Sequence, residues 1–312
     1  KAIYMIGVEL IGTGSALPKN IVTNHELAKK IETSDEWILS RTGIKQRHIV
    51  SDGENALTLS AAAAKQALAA SGTAPEQIDC VIVATMTPAR NMPSTACLLQ
   101  KELGIKPGIA FDINVACSGF IYGINIANML IKQGAVKRIL LVGVDIMSKI
   151  LDWNDRNTCV LFGDGAGAVI LQSSAKNKLY GGIMGADGSY AESLQANPEL
   201  TMQGKEVFKH AVKELENLVP KTLAMFGLGF SDIDWLVAHQ ANIRIIQATA
   251  KLLNLPMDKA IVTIDRHANT AAASIPMALD YAIRNNSIKK GDCLLLEAFG
   301  AGFTWGSFIL RY

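Results

Sequence analysis

The chain has 312 residues, of which 49% are hydrophobic and 19% charged, and its formal net charge at pH 7 is +2. This near balance creates no overall field for a polyanion, so neither a nucleic-acid nor a membrane partner is expected. The five cysteines form no CxxC pair, which argues against a disulfide framework and against a metal site and favours a reducing, cytoplasmic setting. The stretch Lys1–Leu10 shows no cleavage-site pattern, so no signal peptide is predicted.

Short apolar runs recur in the same order in the two parts of the chain: Ile78–Ala84 with Ile233–Ala238, and Val136–Val142 with Ile288–Leu296. Such runs are typical of strands that are buried on both faces. In each part of the chain a segment of helical length lies between the two apolar runs. It extends from Cys117 to about Gln133 in the first part and from Thr270 to about Arg284 in the second. Strands that alternate with helices predict an α/β fold. We therefore expect two similar halves, residues 1–172 and 173–312, packed about a pseudo-twofold axis.

Cys117 stands where the segment Phe111–Phe120 changes from a predicted strand to a predicted helix. The free amides and the dipole of a helix N-terminus favour an anion, so a thiol there is expected to have a lowered pKa and to serve as a nucleophile. The alternative is a small core residue, which is our interpretation of the other four cysteines.

His239 and Asn269 are the polar candidates of the second half. His239 follows the predicted strand Trp235–Ala238, at the strand end where parallel-sheet enzymes place their chemistry. Asn269 comes directly before a predicted helix, and the repeat suggests that it is the counterpart of Cys117 at the start of an equivalent helix. A hydrogen-bonded core histidine and an ordinary helix N-cap are the alternatives.

Two glycine-rich runs, Ile11–Ala16 and Gly163–Ala168, resemble parts of a dinucleotide fingerprint. Pro18 follows the first run and an apolar, strand-like run follows the second, so neither continues into the helix that a dinucleotide site requires. No nucleotide cofactor is predicted.

Several motifs together resemble the β-ketoacyl-acyl-carrier-protein synthase III family of the thiolase fold. They are Thr33–Ile38, Arg41–Ile44, the Cys117 segment, Asp155–Arg156, Phe162–Ala168, His239–Asn242, Arg266–Thr270 and Phe299–Gly306. A cysteine, a histidine and an asparagine separate this family from elongating synthases, which have two histidines, and from thiolases, which have a second cysteine. The resemblance implies an α/β, thiolase-like fold with duplicated αβαβα layered halves and mixed five-stranded sheets.

The resemblance also implies an activity. A member of this family is a homodimer that takes an acyl group from coenzyme A onto Cys117 and condenses it with malonyl-acyl carrier protein, which initiates fatty acid biosynthesis. The amides of Cys117 and Ala301 would form the oxyanion hole, and His239 and Asn269 would stabilise an enolate. Neither a metal nor an organic cofactor is implied, since coenzyme A enters as a thioester substrate.

Further residues receive roles from the same resemblance. Those implied to bind coenzyme A are Thr33, Trp37, Arg41, Arg156, Phe208 and Asn242. Trp37 and Arg156 would hold the adenine between them, and Thr33, Phe208 and Asn242 would line the pantetheine tunnel. Met92 would reach across the dimer to the acyl pocket. The residues implied to dock the acidic carrier protein are Arg244 and Lys251. Apart from the resemblance, the spacing of Lys205, Lys209 and Lys213 on one helix face predicts a further basic docking stripe that includes Lys209, for which an ordinary solvated helix face is the alternative.

The sequence also departs from the family pattern. Ala268 and Ala301 stand where glycine is common, and the connection between Gly188 and Gly204 is shorter than usual. Three alternatives stay open. The chain could be a specialised relative that makes a secondary metabolite or acylates another acceptor, a papain-type cysteine hydrolase, or a non-catalytic carrier-binding protein. The preferred primer is not determined.

Overall fold

The computed structural model describes residues 6–175 and 179–312. Residues 1–5, to which part of the signal-peptide prediction applies, lie outside this range. None of the helices in the described ranges is both long enough and apolar enough to cross a membrane.

The strands, in chain order, are β1 (Gly7–Ala16), β2 (Asn20–Thr23), β3 (Gln46–Ile49), β4 (Cys80–Ala84), β5 (Ile109–Ile113), β6 (Arg138–Asp145), β7 (Gly165–Ser174), β8 (Leu179–Gly181), β9 (Met184–Ala186), β10 (Leu194–Ala196), β11 (Leu200–Met202), β12 (Trp235–Ala238), β13 (Cys293–Gly300) and β14 (Thr304–Arg311). The α-helices are α1 (Asn24–Leu27), α2 (Asp35–Thr42), α3 (Ala56–Ser71), α4 (Thr95–Glu102), α5 (Gly119–Lys132), α6 (Gly204–Met225), α7 (Ile243–Leu252), α8 (Ile264–His267) and α9 (Ser274–Arg284).

Two mixed sheets form the framework. The first has the strand order β1-β7-β6-β4-β5, in which β4 runs parallel to both β5 and β6 while β7 is antiparallel to β6 and β1. The second has the order β12-β13-β14-β8, with β9 also paired to β14. Here β12 is parallel to β13, and β14 is antiparallel to β13 and β8. The second sheet thus repeats the directions of the first, and a single bridge between Leu236 and Ala260 stands at the place of β5.

Helices cover both faces of each sheet because the strands are apolar on both sides. In β4, Cys80 and Ile82 pack in the cluster that contains α5 and α9, whereas Val81 and Val83 pack against α3 and α4. The second sheet likewise buries one face against α5 and α9 and the other against α6 and α7. The layers are therefore α3/α4, sheet, α5/α9, sheet, α6/α7.

The predicted repeat is present, since each of the four apolar runs contains a strand: β4, β6, β12 and β13. The predicted limit after residue 172 falls inside β7, which continues to Ser174. We therefore propose two halves that divide after Ser174, the last residue of β7.

The glycines of Ile11–Ala16 have a packing role. A Cβ atom on Gly12 would lie 2.4 Å from the carbonyl oxygen of Ala67, and one on Gly14 would lie 2.2 Å from that of Ala63. Both carbonyls belong to α3, so these glycines allow the helix to approach β1 closely. This contact accounts for the glycine pattern without a nucleotide.

A buried carboxylate joins the two halves at β1 and α9. Asp280 accepts hydrogen bonds from the hydroxyls of Thr13 (2.8 Å) and Ser15 (2.6 Å) and pairs with the guanidinium of Arg284 at 2.8 Å. Arg284 is the only charged group among these three partners, and its side chain is half exposed. The two hydroxyls therefore provide much of the stabilisation of the buried carboxylate.

Replacing Asp280 by alanine is expected to lower the free energy of unfolding by about 2–4 kcal/mol, because two hydroxyl groups lose their acceptor inside the protein. Urea denaturation followed by circular dichroism measures this change. The matched control is Asp258→Ala, at an exposed position, which should leave stability nearly unchanged. Equal stability of the two variants would contradict the role of Asp280.

Candidate active site

Cys117 lies at the junction between β5 and α5. Residues Ala116–Ser118 form a single turn of 3-10 helix, and α5 itself begins at Gly119. The side chain of Cys117 is 7% exposed. The predicted helix therefore starts two residues later than the sulfur, and the sulfur lies on the turn that leads into it.

The second half contains the same turn. In the first half the side-chain oxygen of Asn114 accepts a hydrogen bond from the amide of Ala116 (3.3 Å), and in the second that of Asn269 accepts from the amide of Ala271 (2.9 Å). Both alanines have a positive φ, of 43° and 48° respectively. A turn of 3-10 helix and then an α-helix follow in each case.

This match corrects the predicted equivalence. Asn269 is the counterpart of Asn114, and Cys117 is the counterpart of Ala272. Counting residues from the strand ends could not reveal the correct equivalence. The two turns match through their asparagine cap and through the alanine of positive φ two residues later. Since its oxygen is engaged by the backbone, Asn269 retains its amide NH₂ as a donor.

His239 directly follows β12. Its backbone amide donates to the carbonyl oxygen of Glu297 on β13 (2.8 Å), which fixes the residue at the carboxyl end of the second sheet. Its Nδ1 is buried and has no hydrogen-bond partner among the described residues. Burial lowers the pKa of His239 to about 4, so the imidazole is neutral at pH 7.

One cavity unites the three predicted residues. Cys117, His239 and Asn269 all line a space of about 100 Å³, which we call the central cavity. Phe208 and Asn242 line it as well, as the tunnel prediction required.

A wider space leads outward from the central cavity. This outer cleft has a volume of about 520 Å³ and is lined by Trp37, Arg41 and Arg244. Phe208 and Asn242 line both spaces, so the cleft adjoins the central cavity. This arrangement suits a narrow, extended substrate that enters from the surface.

Trp37 is flanked by two guanidinium groups. The Cζ atom of Arg41 lies 4.5 Å from the indole ring centre, and that of Arg156 lies 5.0 Å from it. Arg156 also donates to the backbone oxygen of Glu32 (2.9 Å). A base stacked between Trp37 and Arg156 needs about 7 Å between the indole ring and the guanidinium group. Because the two groups are closer than this, Arg156 must move outward before adenine can enter.

Thr33 is not among the residues that line the cavity or the cleft. It precedes α2, and its hydroxyl is buried without a partner among the described residues. The place of Thr33 on the tunnel wall stays a prediction.

A third space lies beside the sulfur. This side pocket of about 50 Å³ is apolar and has both Cys117 and Ala301 in its wall. A Cβ atom on Gly300 would lie 3.0 Å from the amide nitrogen of Cys117, so the turn after β13 packs directly on the nucleophile's backbone. The backbone hydrogen bonds outside the helices and strands of the described residues include none donated by the amide of Cys117 or of Ala301. The place of these two amides in an oxyanion hole stays a prediction.

The other departure from the family pattern, Ala268, has a φ of 58°. This region favours glycine, so the alanine is held there by its buried surroundings.

Met92 lines neither the central cavity nor the pocket beside the sulfur in its own chain. It stands in the loop between β4 and α4, and its side chain is 82% exposed. Its predicted role needs a second chain.

The predicted docking residues are exposed on two helices that pack against each other: Arg244 and Lys251 on α7 and Lys209 on α6. Arg244 lines the outer cleft, and its Cζ atom lies 5.1 Å from the ring centre of Phe208. Their role in docking stays a prediction.

The resting thiol differs from the prediction. Burial raises the pKa of Cys117 to about 12, and the nearby carboxylate of Asp145 contributes in the same direction. The expected lowering is wrong because removal of the thiolate from water costs more than the backbone returns: only the hydrogen bond from the amide of Cys117 itself lowers the pKa. Burial thus outweighs the effect of the helix N-terminus.

Sequence reasoning missed two buried acids near the site. Asp145 ends β6 and Glu297 lies in β13, where it lines the central cavity. Burial raises the pKa of Asp145 to about 6 and that of Glu297 to about 8, the latter opposed by a hydrogen bond from Thr249. A charged residue inside or at the end of an otherwise apolar run is the signal that could have revealed both.

Within residues 6–175 and 179–312 no group of three or more histidine, cysteine, aspartate or glutamate side chains could hold a metal ion. The absence of a metal and of an organic cofactor from the reaction stays a prediction.

Comparison with known proteins identifies the family. The model of 3-oxoacyl-[acyl-carrier-protein] synthase III matches residues 111–188, and the model of the C-terminal part of this synthase matches residues 223–312. The β-ketoacyl-[acyl-carrier-protein] synthase III of Alkalilimnicola ehrlichii is 52% identical, covering 97% of this chain and 98% of its own length. The protein of the same name from Thioalkalivibrio sulfidiphilus is 48% identical and covers 99% of this chain and 100% of its own.

The fold agrees with this match. The crystal structure of 3-oxoacyl-[acyl-carrier-protein] synthase III from Aquifex aeolicus superimposes with a TM-score of 0.96 at 46% identity, covering 98% of this chain and 100% of that one. The predicted thiolase-like fold is confirmed. The chain therefore belongs to the β-ketoacyl-acyl-carrier-protein synthase III family.

Proposed function

We propose that the chain catalyses the decarboxylative condensation of an acyl-coenzyme A primer with malonyl-acyl carrier protein, the step that initiates fatty acid biosynthesis. It is an acyltransferase, as its relatives' names imply. One observation carries the proposal: Cys117, His239 and Asn269 line one cavity, and a wider cleft adjoins it. The alternatives of a specialised relative, a hydrolase or a carrier-binding protein are not favoured by relatives of this similarity.

The first half-reaction transfers the acyl group. The sulfur of Cys117 attacks the thioester carbonyl, and the bond from that carbon to the coenzyme A sulfur breaks. The thiol proton passes to the neutral imidazole of His239 and from there to the leaving sulfur. The amides of Cys117 and Ala301 stabilise the oxyanion, and losing one such donor typically costs about 100- to 1,000-fold in rate.

The second half-reaction forms the carbon–carbon bond. The malonyl group loses carbon dioxide, and the electrons of the broken bond form an enolate. A ring N–H of His239 and the amide NH₂ of Asn269 donate hydrogen bonds to its oxygen, and both groups are neutral donors in a buried site. The enolate carbon attacks the acyl-cysteine, the bond to sulfur breaks, and the sulfur takes a proton from solvent.

The outer cleft would hold coenzyme A. Trp37, Arg41 and Arg156 supply an aromatic face and two cations for the nucleotide end. Phe208 and Asn242 stand where the pantetheine arm would pass, since they line both the cleft and the central cavity. The exposed Arg244, Lys251 and Lys209 would attract the acidic carrier protein to the same entrance.

We also infer a homodimer. Strand β5 is at the edge of the first sheet in the described part of the chain, and Ile109 on it is exposed. The exposed Met92 precedes α4, the helix that packs against β5. An open apolar edge of this kind favours pairing with a second copy, which would bring Met92 to the partner's acyl pocket.

Cys117→Ser is expected to abolish acyl-enzyme formation from labelled acyl-coenzyme A, because a serine hydroxyl is a far weaker nucleophile than a thiol. Decarboxylation of malonyl-acyl carrier protein should persist, since it needs only His239 and Asn269. Mass spectrometry of the intact protein and release of carbon dioxide measure the two steps. Cys97→Ser, at an exposed position, is the control and should retain both. Full condensation by Cys117→Ser would reject the assignment.

Alkylation of Cys117 by iodoacetamide should accelerate about tenfold per pH unit between pH 7 and pH 10, because the thiolate fraction rises tenfold per unit below a pKa near 12. His239 adds no inflection there, since its pKa of about 4 lies below the range. Peptide mass spectrometry of the Cys97→Ser protein gives the rates without labelling of the exposed cysteine. A plateau below pH 9 would show instead that the helix N-terminus stabilises the thiolate.

Lys251→Glu is expected to raise the KM for malonyl-acyl carrier protein about fivefold at low salt, because a charge that attracts the carrier then repels it. The KM for acyl-coenzyme A should stay unchanged. Lys289→Glu serves as the control. It makes the same charge change at an exposed residue before the start of β13, whereas the active site lies at the other end of that strand. Equal effects of the two variants would remove Lys251 from the docking surface.

A further inference from the structure

The shortened connection covers the side pocket. Residues 187–203, which we call the covering segment, begin with 3-10 turns at Gly188–Ser193 and continue as the hairpin of β10 and β11. Leu194 and Leu200 of this hairpin form part of the wall of the side pocket, and Leu194 also lines the central cavity. The position of the hairpin therefore determines the size of the apolar space beside Cys117.

Three aromatic rings hold the start of the covering segment. Tyr190 stacks on Phe303, with ring centres 5.1 Å apart and an interplanar angle of 10°, and it also contacts His210 at 4.2 Å. His210 and Phe303 are 5.6 Å apart. The rings come from three elements: the covering segment, α6 and the turn between β13 and β14. We call them the ring cluster.

Few other contacts anchor the covering segment. The amide of Asp187 donates to the carbonyl oxygen of Phe303 (2.8 Å), and that of Leu200 donates to the carbonyl oxygen of Ile150 (2.7 Å). Most side chains between these two points are exposed. The stacking of Tyr190 is thus the main side-chain attachment of its first half.

The ring cluster is connected to the side pocket through Leu194. This residue packs with Tyr190 and Phe303 in one apolar cluster and with Cys117 and Leu200 in another. Outward movement of the hairpin would therefore separate Leu194 from Phe303 and disturb the stacking of Tyr190.

The side pocket is small in this position. Because roughly 10–15 Å³ of such space holds one water molecule, its volume of about 50 Å³ admits only a few non-hydrogen atoms. A longer acyl chain on Cys117 fits only if the hairpin moves outward.

We propose that Tyr190 and His210 determine primer length, because with Phe303 they hold the covering segment against the side pocket and so restrict the acyl group on Cys117 to short chains. This inference rests on the proposed acyl transfer to Cys117. Neither residue touches the reacting atoms, so both act as positioning residues.

The experiment compares acetyl-, butyryl-, hexanoyl- and octanoyl-coenzyme A as acyl donors, with acylation of Cys117 followed by intact mass spectrometry. The parent chain is expected to prefer acetyl. Tyr190→Ala and His210→Ala should each raise the ratio of kcat/KM for hexanoyl to that for acetyl about tenfold, the scale on which a hydrophobic pocket discriminates small changes in chain length. Tyr190→Phe keeps the ring and should keep the parent ratio.

Two further variants serve as a positive and a negative control. Leu194→Ala enlarges the pocket directly and should shift the ratio in the same direction as Tyr190→Ala. Tyr180→Ala removes a tyrosine that pairs with Phe226 on the far side of the second sheet, and it should leave the ratio unchanged. If Tyr190→Ala does not fold, Tyr190→Leu, which retains apolar bulk without the ring, is expected to shift the ratio as well.

An unchanged ratio in Tyr190→Ala, or an equal loss with all four esters, overturns the role of the ring cluster while acylation of the parent still upholds the proposed function. Absence of parent acylation by every ester overturns both.

Discussion

The active site depends on one buried carboxylate that has no cationic partner in the described part of the chain. Oδ1 of Asp145 accepts hydrogen bonds from the hydroxyls of Thr85 (3.1 Å) and Thr87 (2.9 Å) and from the amides of Met86 (2.8 Å) and Thr87 (3.2 Å). Its Oδ2 accepts from the amide of Ala272 (3.1 Å), in the other half of the chain. Five donors offset much of the cost of burying the charge. The same carboxylate fixes the loop after β4, the turn of the second half and the surroundings of Cys117.

The duplication supplies two copies of one backbone turn, and the site uses them differently. In the first half, Cys117 is the second residue of the 3-10 turn. In the second half, the functional residue is Asn269, the asparagine whose side chain caps the turn. A small residue, Ala272, occupies the place equivalent to Cys117, and a Cβ atom on Gly119 would lie only 3.4 Å from it. The two turns can therefore approach closely enough for both functional side chains to share one cavity.

Charge is kept away from the reacting atoms and placed at the entrance. Burial keeps both the thiol and the imidazole neutral at pH 7, while exposed cations lie on α6 and α7 outside the cavity. Transfer of the thiol proton to the imidazole creates an ion pair, which would exist only while the sulfur attacks the substrate. The acidic carrier and the phosphates of coenzyme A would meet cations only outside the cavity.

The sequence by itself determined the layered α/β fold, the four repeated strands and the identity of the three residues on the central cavity. The fold and the strands follow from continuous apolar runs, which are local signals of burial. The three residues stand at predicted strand and helix ends, and the resemblance to the family motifs singled them out. Only the tertiary structure decided that Asn269 corresponds to Asn114 and that burial raises the pKa of the Cys117 thiol. It also decided that Tyr190, His210 and Phe303, distant in the chain, pack together at the start of the covering segment. Solvent exclusion and contacts between elements set these features, and residue order does not encode either in a form that local patterns reveal.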